Sequence, residues 1–349
     1  METAIVFRIG LLSIISFLIA FFATPILTHF LFRQKFGKQI RDSKSAPIFS
    51  ALHQKKSGTP TMGGVLIWGT VLFLSIFFYI INIFFPESFI GNLNFLTREQ
   101  TLLPLGAMII AAVIGLLDDY LNIKQIGPKG GGLSVLIKLG LYTIIATGGA
   151  LWFYFKLDWD VFHIPFVGNF EIGLWYIPVF IIVIVSTAFS VNEIDGLDGL
   201  AGGTVATTLV ALGAIAFAQG KFELATFIAI IVGALIAFLW FNINPARFFM
   251  GDTGSMSLGI IIGIIAMLTN TALLLPVIGF LFVIESLSVI IQLLSKKFRG
   301  KKVFLSAPIH HHFQAKGWSE PKIVMRFWLI SSVTAVTGIM LFLADKGWY

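Results

Sequence analysis

The sequence contains no cysteine and carries few charged residues. Of its 349 residues, 12% are charged and 57% are hydrophobic. Without cysteine, the chain can form no disulfide, no thiolate metal site and no cysteine nucleophile. Soluble domains carry roughly 25% charged residues, and the mean hydropathy of this chain is +0.93. The composition therefore excludes an ordinary soluble domain and predicts a polytopic membrane protein.

Three sequence patterns are also missing. There is no Walker motif, so phosphate is not expected to bind in a P-loop. Neither a repeat of 20 to 50 residues nor the inverted symmetry of many transporters is visible. The first apolar stretch, near 5–32, is too long for a signal-peptide core and follows Glu2 rather than a basic region. We expect it to be a retained first helix.

Runs of about 20 apolar residues predict ten transmembrane helices. The least certain boundary is the polar break at 269–271, because fusion of the eighth and ninth runs would reverse the topology of the remaining chain. The predicted fold class is an all-α integral membrane protein, with one domain over 1–349. The runs lie near 5–32, 60–85, 102–117, 134–155, 174–191, 200–219, 224–241, 255–271, 273–294 and 323–343.

The basic residues are distributed unequally between the two sets of connecting segments. One set carries most of the 24 lysines and arginines and lies near 33–59, 118–133, 192–199, 242–254 and 295–322. The opposite loops and the termini carry only Arg98, Lys156, Lys221 and Lys346. The positive-inside rule makes the first set cytoplasmic and both termini extracytoplasmic. Arg8, Lys138 and Arg326, which lie near helix ends, are expected to snorkel to the interface.

The first polar cluster is a pair of adjacent carboxylates, Asp118 and Asp119, at the end of an apolar run. Two unit charges about 4 Å apart repel by roughly 4 kcal/mol at an effective dielectric of about 20. The pair therefore requires a cation, a proton or good hydration. A plain hydrated helix end is the alternative interpretation.

The second and third clusters also lie in the predicted cytoplasmic set. Residues 192–199 contain three carboxylates, one amide and two glycines, and helix capping accounts for Asp198 alone. In the third cluster, Gly251 to Ser255 begin a helix whose free N–H groups suit phosphate, and Asp252 suits a hard cation. A structural capping turn competes with this interpretation.

The fourth cluster is the histidine triplet His310, His311 and His312, preceded by a basic segment. Adjacent residues of a helix point about 100° apart, so the triplet suits zinc poorly, and we favour anion binding. The basic segment is typical of an anchor on anionic membrane lipid. Glu285 lies inside the ninth run, where either a function or a hydrogen bond to a neighbouring helix would explain it.

Together the clusters predict one cytoplasmic face bearing aspartates, histidines, lysines and a glycine-led helix start. This inventory indicates Mg²⁺-dependent phosphoryl transfer at a membrane surface. A transporter, the alternative from another class, would require functional polar groups on both sides or at the midplane.

The same segments resemble the signatures of the polyprenyl-phosphate N-acetylhexosamine-1-phosphate transferases. The resemblance covers nearly the whole chain and rests on 118–120, 192–198, 249–255 and 308–313. The unbroken histidine triplet and residues 56–64 resemble the bacterial branch that uses UDP-N-acetylmuramoyl-pentapeptide. A relative that uses UDP-N-acetylglucosamine is the alternative within the family, and its histidine segment usually has an arginine between histidines.

The resemblance implies that undecaprenyl phosphate and UDP-N-acetylmuramoyl-pentapeptide give lipid I and UMP, with Mg²⁺, in peptidoglycan synthesis. It also implies a homodimer in the bacterial cytoplasmic membrane, with no nucleic-acid partner. The implied catalytic residues are Asp118, Asp119, Asp252 and His311, with Asp252 as the metal ligand. The implied substrate-binding residues are Lys56, Thr61, Asn192, Asp195, Gly196, Asp198, Asn242, Phe249, His310 and His312. Whether Asp118 acts as a base or binds metal, and whether transfer takes one step or two, stays open.

Overall fold

A computed structural model describes residues 2–34, 36–37, 56, 58–128 and 131–347. Helices dominate this part of the chain, as the composition predicts. The helices are α1 (Glu2–Arg33), α2 (Val65–Phe84), α3 (Leu102–Ile123), α4 (Val135–Lys156), α5 (Tyr176–Ile194), α6 (Leu200–Ala218), α7 (Phe222–Asn242), α8 (Gly251–Leu268), α9 (Leu275–Ile278), α10 (Phe280–Arg299), α11 (Ile309–Ala315) and α12 (Glu320–Asp345). The strands β1 (Val161–Ile164) and β2 (Gly168–Glu171) form an antiparallel hairpin.

Among the described residues, nine helices are long and apolar enough to cross a membrane, namely α1 to α8 and α12. Nine of the ten predicted runs meet this measure, and the one that does not is the run at 273–294. That run contains the short α9 and most of α10, whose 20 residues include Glu285, Lys296 and Lys297. Charges at this density are costly in hydrocarbon, so α10 does not qualify by composition.

The predicted break between the eighth and ninth runs is confirmed. Helix α8 ends at Leu268, and the chain turns before α9 begins at Leu275. Thr269 Oγ1 donates to the Ile265 carbonyl at 2.8 Å and lies 2.7 Å from Thr271 Oγ1. The two threonines therefore satisfy polar groups at the helix end, and the two runs are not fused.

Helix α8 is the centre of the bundle, with 94% of its spanning segment buried. It packs against α3 on one side and α5 on the other. The approach of α3 is so close that a Cβ placed on Gly115 would lie 2.3 Å from the backbone oxygen of Asp252. Glycine at 115 therefore lets the end of α3 reach the beginning of α8.

Several helices extend into segments that are predicted to be loops. Asp118 and Asp119 lie within α3 rather than in a loop at 118–133. Asn192 lies in the last turn of α5, and Asp252 lies in the first turn of α8. The segment 295–322 contains the end of α10, all of α11 and the start of α12. Most of the predicted loop at 33–59 lies outside the described residues.

Both ends of the described chain lie at the end of the bundle where α8 ends. Lys221, beside the start of α7, donates to the Leu268 carbonyl, and the hairpin residue His163 donates to Asn270. Arg8 pairs with Glu223 at the start of α7, at 2.7 Å. His163 in the hairpin contacts Asp345 at the end of α12, also at 2.7 Å. The carboxylates of α3 and the start of α8 lie at the other end, so the chain ends and the aspartates are on opposite faces.

Candidate active site

One lysine holds two carboxylates at the centre of the polar end of the bundle. Lys138 Nζ, in the first turns of α4, lies 2.6 Å from Asp118 Oδ2 and 2.7 Å from Asp252 Oδ2. The side chains of these three residues are 16%, 1% and 20% exposed, respectively. The expectation that Lys138 snorkels to the interface is therefore wrong. Its ammonium instead turns toward two negative charges that the bundle has largely removed from water.

The two adjacent aspartates have different partners. Asp118 Oδ1 accepts a short hydrogen bond from the Leu133 backbone N–H. Asp119 instead accepts from the backbone N–H groups of Asp252 and Thr253, at 3.0 and 3.1 Å. It therefore caps the start of α8, where a carboxylate also benefits from the helix dipole. The predicted repulsion within the pair is offset by Lys138 on one side and by helix N–H groups on the other.

Asp252 is held on both of its carboxylate oxygens. Lys138 contacts Oδ2, and the Asn192 amide donates to Oδ1 at 2.5 Å. Asn192 also donates to Ser255 Oγ at 3.0 Å, one turn further along α8. The ends of α3 and α5 and the beginnings of α4 and α8 thus bring Asp118, Lys138, Asn192 and Asp252 together.

A second ion-pair group surrounds Lys56. Lys56 Nζ lies 2.6 Å from Asp198 Oδ1 and 2.5 Å from Glu320 Oε1. The other oxygen of Asp198 accepts from the Asn244 amide at 2.9 Å and from the Ala246 backbone N–H at 3.2 Å. Asp198 is therefore a fixed anion between three segments, rather than only the helix cap of the alternative interpretation.

The segment between the two groups carries further predicted residues. Asn242 accepts from the Gly199 backbone N–H at 2.9 Å and donates to the Phe248 carbonyl at 2.8 Å. The Phe249 ring is half-buried, and Lys56 Nζ lies 5.9 Å from its centroid. Thr61 is buried, with its hydroxyl beside Gly251. Asp195 follows the last residue of α5 and is half-buried.

The three histidines of α11 have different surroundings. His310 Nδ1 lies 3.0 Å from Glu285 Oε2, and both side chains are 0% exposed. Burial lowers the pKa of His310 to about 3. A Cβ on Gly196 would lie 2.3 Å from His310 Nε2, so the second cluster packs directly on this ring. Glu285 therefore has a hydrogen-bond partner in the neighbouring helix α11, which is one of the two explanations offered for this residue.

His311 and His312 point to other groups. His311 Nδ1 lies 2.8 Å from Gln314 Oε1, and His312 Nδ1 accepts from the Leu305 backbone N–H at 3.2 Å. In the part of the chain that the structure describes, no three His, Asp or Glu side chains are grouped closely enough to hold a metal. The rings of His310 and His311 lie in contact, with centroids 4.1 Å apart, although their Nδ1 atoms have different partners.

The site nevertheless has donors of the kind that Mg²⁺ prefers. Asp118 Oδ2 and Asp252 Oδ2 both point at one cationic group, the Lys138 ammonium. Mg²⁺ commonly takes one or two carboxylates, together with water and substrate phosphates, rather than an all-protein cage. The two carboxylates that converge here among the described residues fit this pattern.

Sequence reasoning missed two residues of the site. Lys138 is the one charged residue inside the apolar run 134–155, and an intramembrane charge is by default a functional candidate. That signal was available and was assigned instead to snorkelling. Glu320 precedes the last apolar run and has no local pattern that marks it. Its contact with Lys56 spans most of the chain and is visible only in the fold.

Comparison with known proteins places these residues in a family. The glycosyl transferase family 4 profile matches residues 101–270. Signature 1 of the phospho-N-acetylmuramoyl-pentapeptide-transferases matches residues 56–67. Relatives with that name include those of Chloroflexus aggregans, 39% identical over 96% of this chain and 89% of the relative, and Halalkalibacterium halodurans, 40% identical over 96% and 98%. The protein of Bacillus anthracis is 40% identical over 94% of this chain and 95% of its own length.

The chain belongs to the phospho-N-acetylmuramoyl-pentapeptide transferase family. The resemblance drawn from the sequence motifs is thereby confirmed. The signature segment of this transferase family includes Lys56 and Thr61, and the family 4 profile spans all the residues around Asp118 and Asp252. The alternative of a relative named for UDP-N-acetylglucosamine has no support among these matches.

Proposed function

We propose that the chain transfers phospho-N-acetylmuramoyl-pentapeptide from its UDP conjugate to undecaprenyl phosphate, giving lipid I and UMP for peptidoglycan synthesis. The observation that carries this proposal is the convergence of Asp118 and Asp252 on one cationic position at the start of α8. Membership of the family supplies the substrates. The site supplies fixed negative groups, a cation and helix N–H groups where two phosphate-bearing substrates must meet.

The proposed orientation puts this end of the bundle in the cytoplasm and both termini outside, in a bacterial cytoplasmic membrane. The unequal distribution of lysine and arginine supports it. The two termini lie together at the opposite end, as an even number of crossings requires. For this topology α10 must supply the tenth crossing, with its basic end at the cytoplasmic surface. We also propose the homodimer that the resemblance implies.

In the proposed reaction, an oxygen of the lipid phosphate attacks the phosphorus that bears the sugar. The bond from that phosphorus to the oxygen of UMP breaks, and UMP leaves with the electron pair. Asp118 has one oxygen on a backbone N–H and the other on Lys138. We therefore assign Asp118 to orienting the lipid phosphate and accepting its proton, in a direct displacement. Lys138 is placed to move from the carboxylates to the phosphate oxygens as their charge enters the site.

We propose Mg²⁺ as the cofactor, held by Asp252, with water and substrate phosphates as its other ligands. When bound, the ion supplies positive charge that offsets the charge of the pyrophosphate oxygens. Asn192 keeps the Asp252 carboxylate in position through its hydrogen bond to Oδ1. Asp119 acts through α8, because it holds the backbone of Asp252 rather than the substrate.

The nucleotide-sugar site is proposed to lie around Lys56 and Phe249. The half-buried ring of Phe249 offers a face for the base, and Lys56 lies near enough to contact the sugar or a phosphate. Asp198 and Asn242 are proposed to line the base of this nucleotide-sugar site. Their contacts with Lys56 and Gly199 hold them in position. His311 and His312 are proposed to bind anionic parts of the same substrate, and the basic end of α10 to contact anionic membrane lipid.

The proposal is tested by product analysis with purified protein and two variants. Wild type should convert UDP-N-acetylmuramoyl-pentapeptide and undecaprenyl phosphate to lipid I and UMP in equal amounts, as measured by mass spectrometry. Asp252→Asn should remove most product, since the amide keeps the shape and loses the charge that holds Mg²⁺. Asp118→Asn should remove product while equilibrium binding of the UDP-sugar survives. Activity of Asp252→Asn above about a tenth of wild type would contradict the metal-ligand role.

A further inference from the structure

A polar cavity lies at the end of the bundle opposite the aspartates. Its volume is about 310 Å³, near the lower limit of roughly 300 to 1,000 Å³ for small-ligand sites. Helix α8 connects the two regions, and its 18 residues at about 1.5 Å each separate them by about 27 Å. The polar residues that line the cavity are His163, Asn169, Gln219, Lys221, Thr269, Asn270 and Lys346. The proposed transfer reaction uses none of them.

Two lysines give the cavity its charge. Lys221 Nζ donates one hydrogen bond to the Leu268 carbonyl at the end of α8 and lies 5.0 Å from the centroid of the Trp159 ring. An ammonium carries three hydrogens, so it has donors for a ligand as well. Burial disfavours the charged form of Lys221 and lowers its pKa to about 8. A bound anion would stabilise the charged form and offset this effect. Lys346 lines the same cavity and is exposed.

The carboxylate of Asp345, next to Lys346 in the chain, binds the hairpin. Asp345 Oδ2 lies 2.7 Å from His163 Nε2, and its Oδ1 accepts from the Phe166 backbone N–H at 2.5 Å. Asn169 contacts the other nitrogen of His163 at 2.7 Å. The hairpin and α12 are therefore fixed beside the cavity, and the charge of Asp345 offsets part of that of Lys346 but leaves Lys221 without a carboxylate partner within the described part of the chain. The cavity retains positive character.

The side-chain oxygen of Gln219 lacks a hydrogen-bond donor in the part of the chain that the structure describes. Its Nε2 donates to the Thr269 carbonyl at 2.7 Å, which fixes the orientation of the amide. Its Oε1 is then buried and has no hydrogen-bond partner among the described residues. A buried acceptor without a donor has lost its hydrogen bonds to water and gained none in return. The position therefore calls for a ligand that brings a hydrogen-bond donor together with negative charge.

We propose that this cavity binds a phosphate group that carries a neighbouring hydroxyl. The phosphate oxygens accept from Lys221 and Lys346, and the hydroxyl donates to Gln219 Oε1. A phosphodiester headgroup of a glycerol-terminated lipid and a free glycerol phosphate share this chemistry. The site is separate from the transfer reaction and is occupied from the opposite face of the membrane.

The test uses full-length protein in a neutral detergent, with bound molecules counted by native mass spectrometry and affinity obtained by titration. The probes are phosphatidylglycerol, phosphatidylcholine and glycerol 3-phosphate. We expect phosphatidylglycerol or glycerol 3-phosphate to bind, and phosphatidylcholine, which has no hydroxyl and no net charge, to bind at least tenfold more weakly. Preference for phosphatidylglycerol identifies a lipid as the source, and preference for glycerol 3-phosphate identifies a soluble molecule.

Two variants and a control make the test specific. Lys221→Gln and Lys346→Gln should each weaken binding about tenfold, because each removes one charged donor. Lys156→Gln removes an exposed lysine on the same face that does not line the cavity, and it should bind as wild type. Because Lys221 also holds the end of α8, Lys346→Gln is the decisive variant, with transfer activity as the check on folding. Equal binding of both lipids, or unchanged affinity in folded Lys346→Gln, would overturn the proposal.

Discussion

Lys138 is the residue whose replacement tests the site most severely, because it is the cation between Asp118 and Asp252. Lys138→Met keeps the length and apolar stem of the side chain and removes its charge. Two carboxylates that now share one ammonium, at 2.6 and 2.7 Å, would face each other without it. Removal of one partner from a buried ion pair costs about 3 to 5 kcal/mol. If about 3 kcal/mol of this appears in the transition state, turnover falls roughly a hundredfold.

The assay measures lipid I formation as a function of Mg²⁺ concentration. Lys138→Met should show the hundredfold loss at saturating Mg²⁺, and it should unfold at lower temperature in EDTA than in Mg²⁺, since only the metal can then separate the two charges. Lys124→Met is the matched control, because Lys124 lies exposed at the end of α3 with its Nζ near the Tyr120 ring. Turnover of Lys138→Met within threefold of wild type would refute the assigned role.

Three further predictions concern the surrounding residues. Asp119→Ala removes the acceptor for two N–H groups of α8, so it should lower the free energy of unfolding by about 0.5 to 2 kcal/mol; an unchanged thermal midpoint would contradict the capping role. Lys56→Gln leaves Asp198 and Glu320 without their shared cation, so KM for the UDP-sugar should rise at least tenfold with a smaller effect on kcat, and steady-state kinetics that show the reverse would move Lys56 to the chemical step. His311→Ala should impair use of the nucleotide sugar, while metal analysis of wild type finds no stoichiometric zinc; full activity of the variant would remove His311 from the site.

Much of the fold follows from the sequence, because the hydrocarbon of a membrane restricts which structures an apolar segment can form. Long apolar runs must be helices when no water can satisfy their backbone, so nine of the runs correspond to helices of spanning length and composition. The predicted helix boundaries are wrong where a helix continues past the end of its apolar run. Asp118 and Asp119 look like a loop by hydropathy, but α3 continues to Ile123 because their carboxylates find partners inside the bundle.

Some residues of the candidate site can likewise be predicted from the sequence, and others cannot. Asp118, Asn192 and Asp252 stand out in the sequence because polar residues are costly beside apolar runs, and the structure brings these three together. Lys138 contacts Asp252, which lies 114 positions further along the chain. Glu320 contacts Asp198 across 122 positions and Lys56 across 264. Hydropathy cannot find such pairs, because the partner of each residue is set by which helices pack together rather than by local pattern.

The most direct test of the central claim is radiolabel transfer from two donors to undecaprenyl phosphate in detergent, with and without Mg²⁺. The donors are UDP-N-acetylmuramoyl-pentapeptide and UDP-N-acetylglucosamine, each labelled in the sugar. We expect label from the first donor to enter the lipid fraction only with Mg²⁺, and label from the second to stay in the aqueous fraction. Transfer from UDP-N-acetylglucosamine, equal transfer in EDTA, or no transfer from either donor would contradict the account.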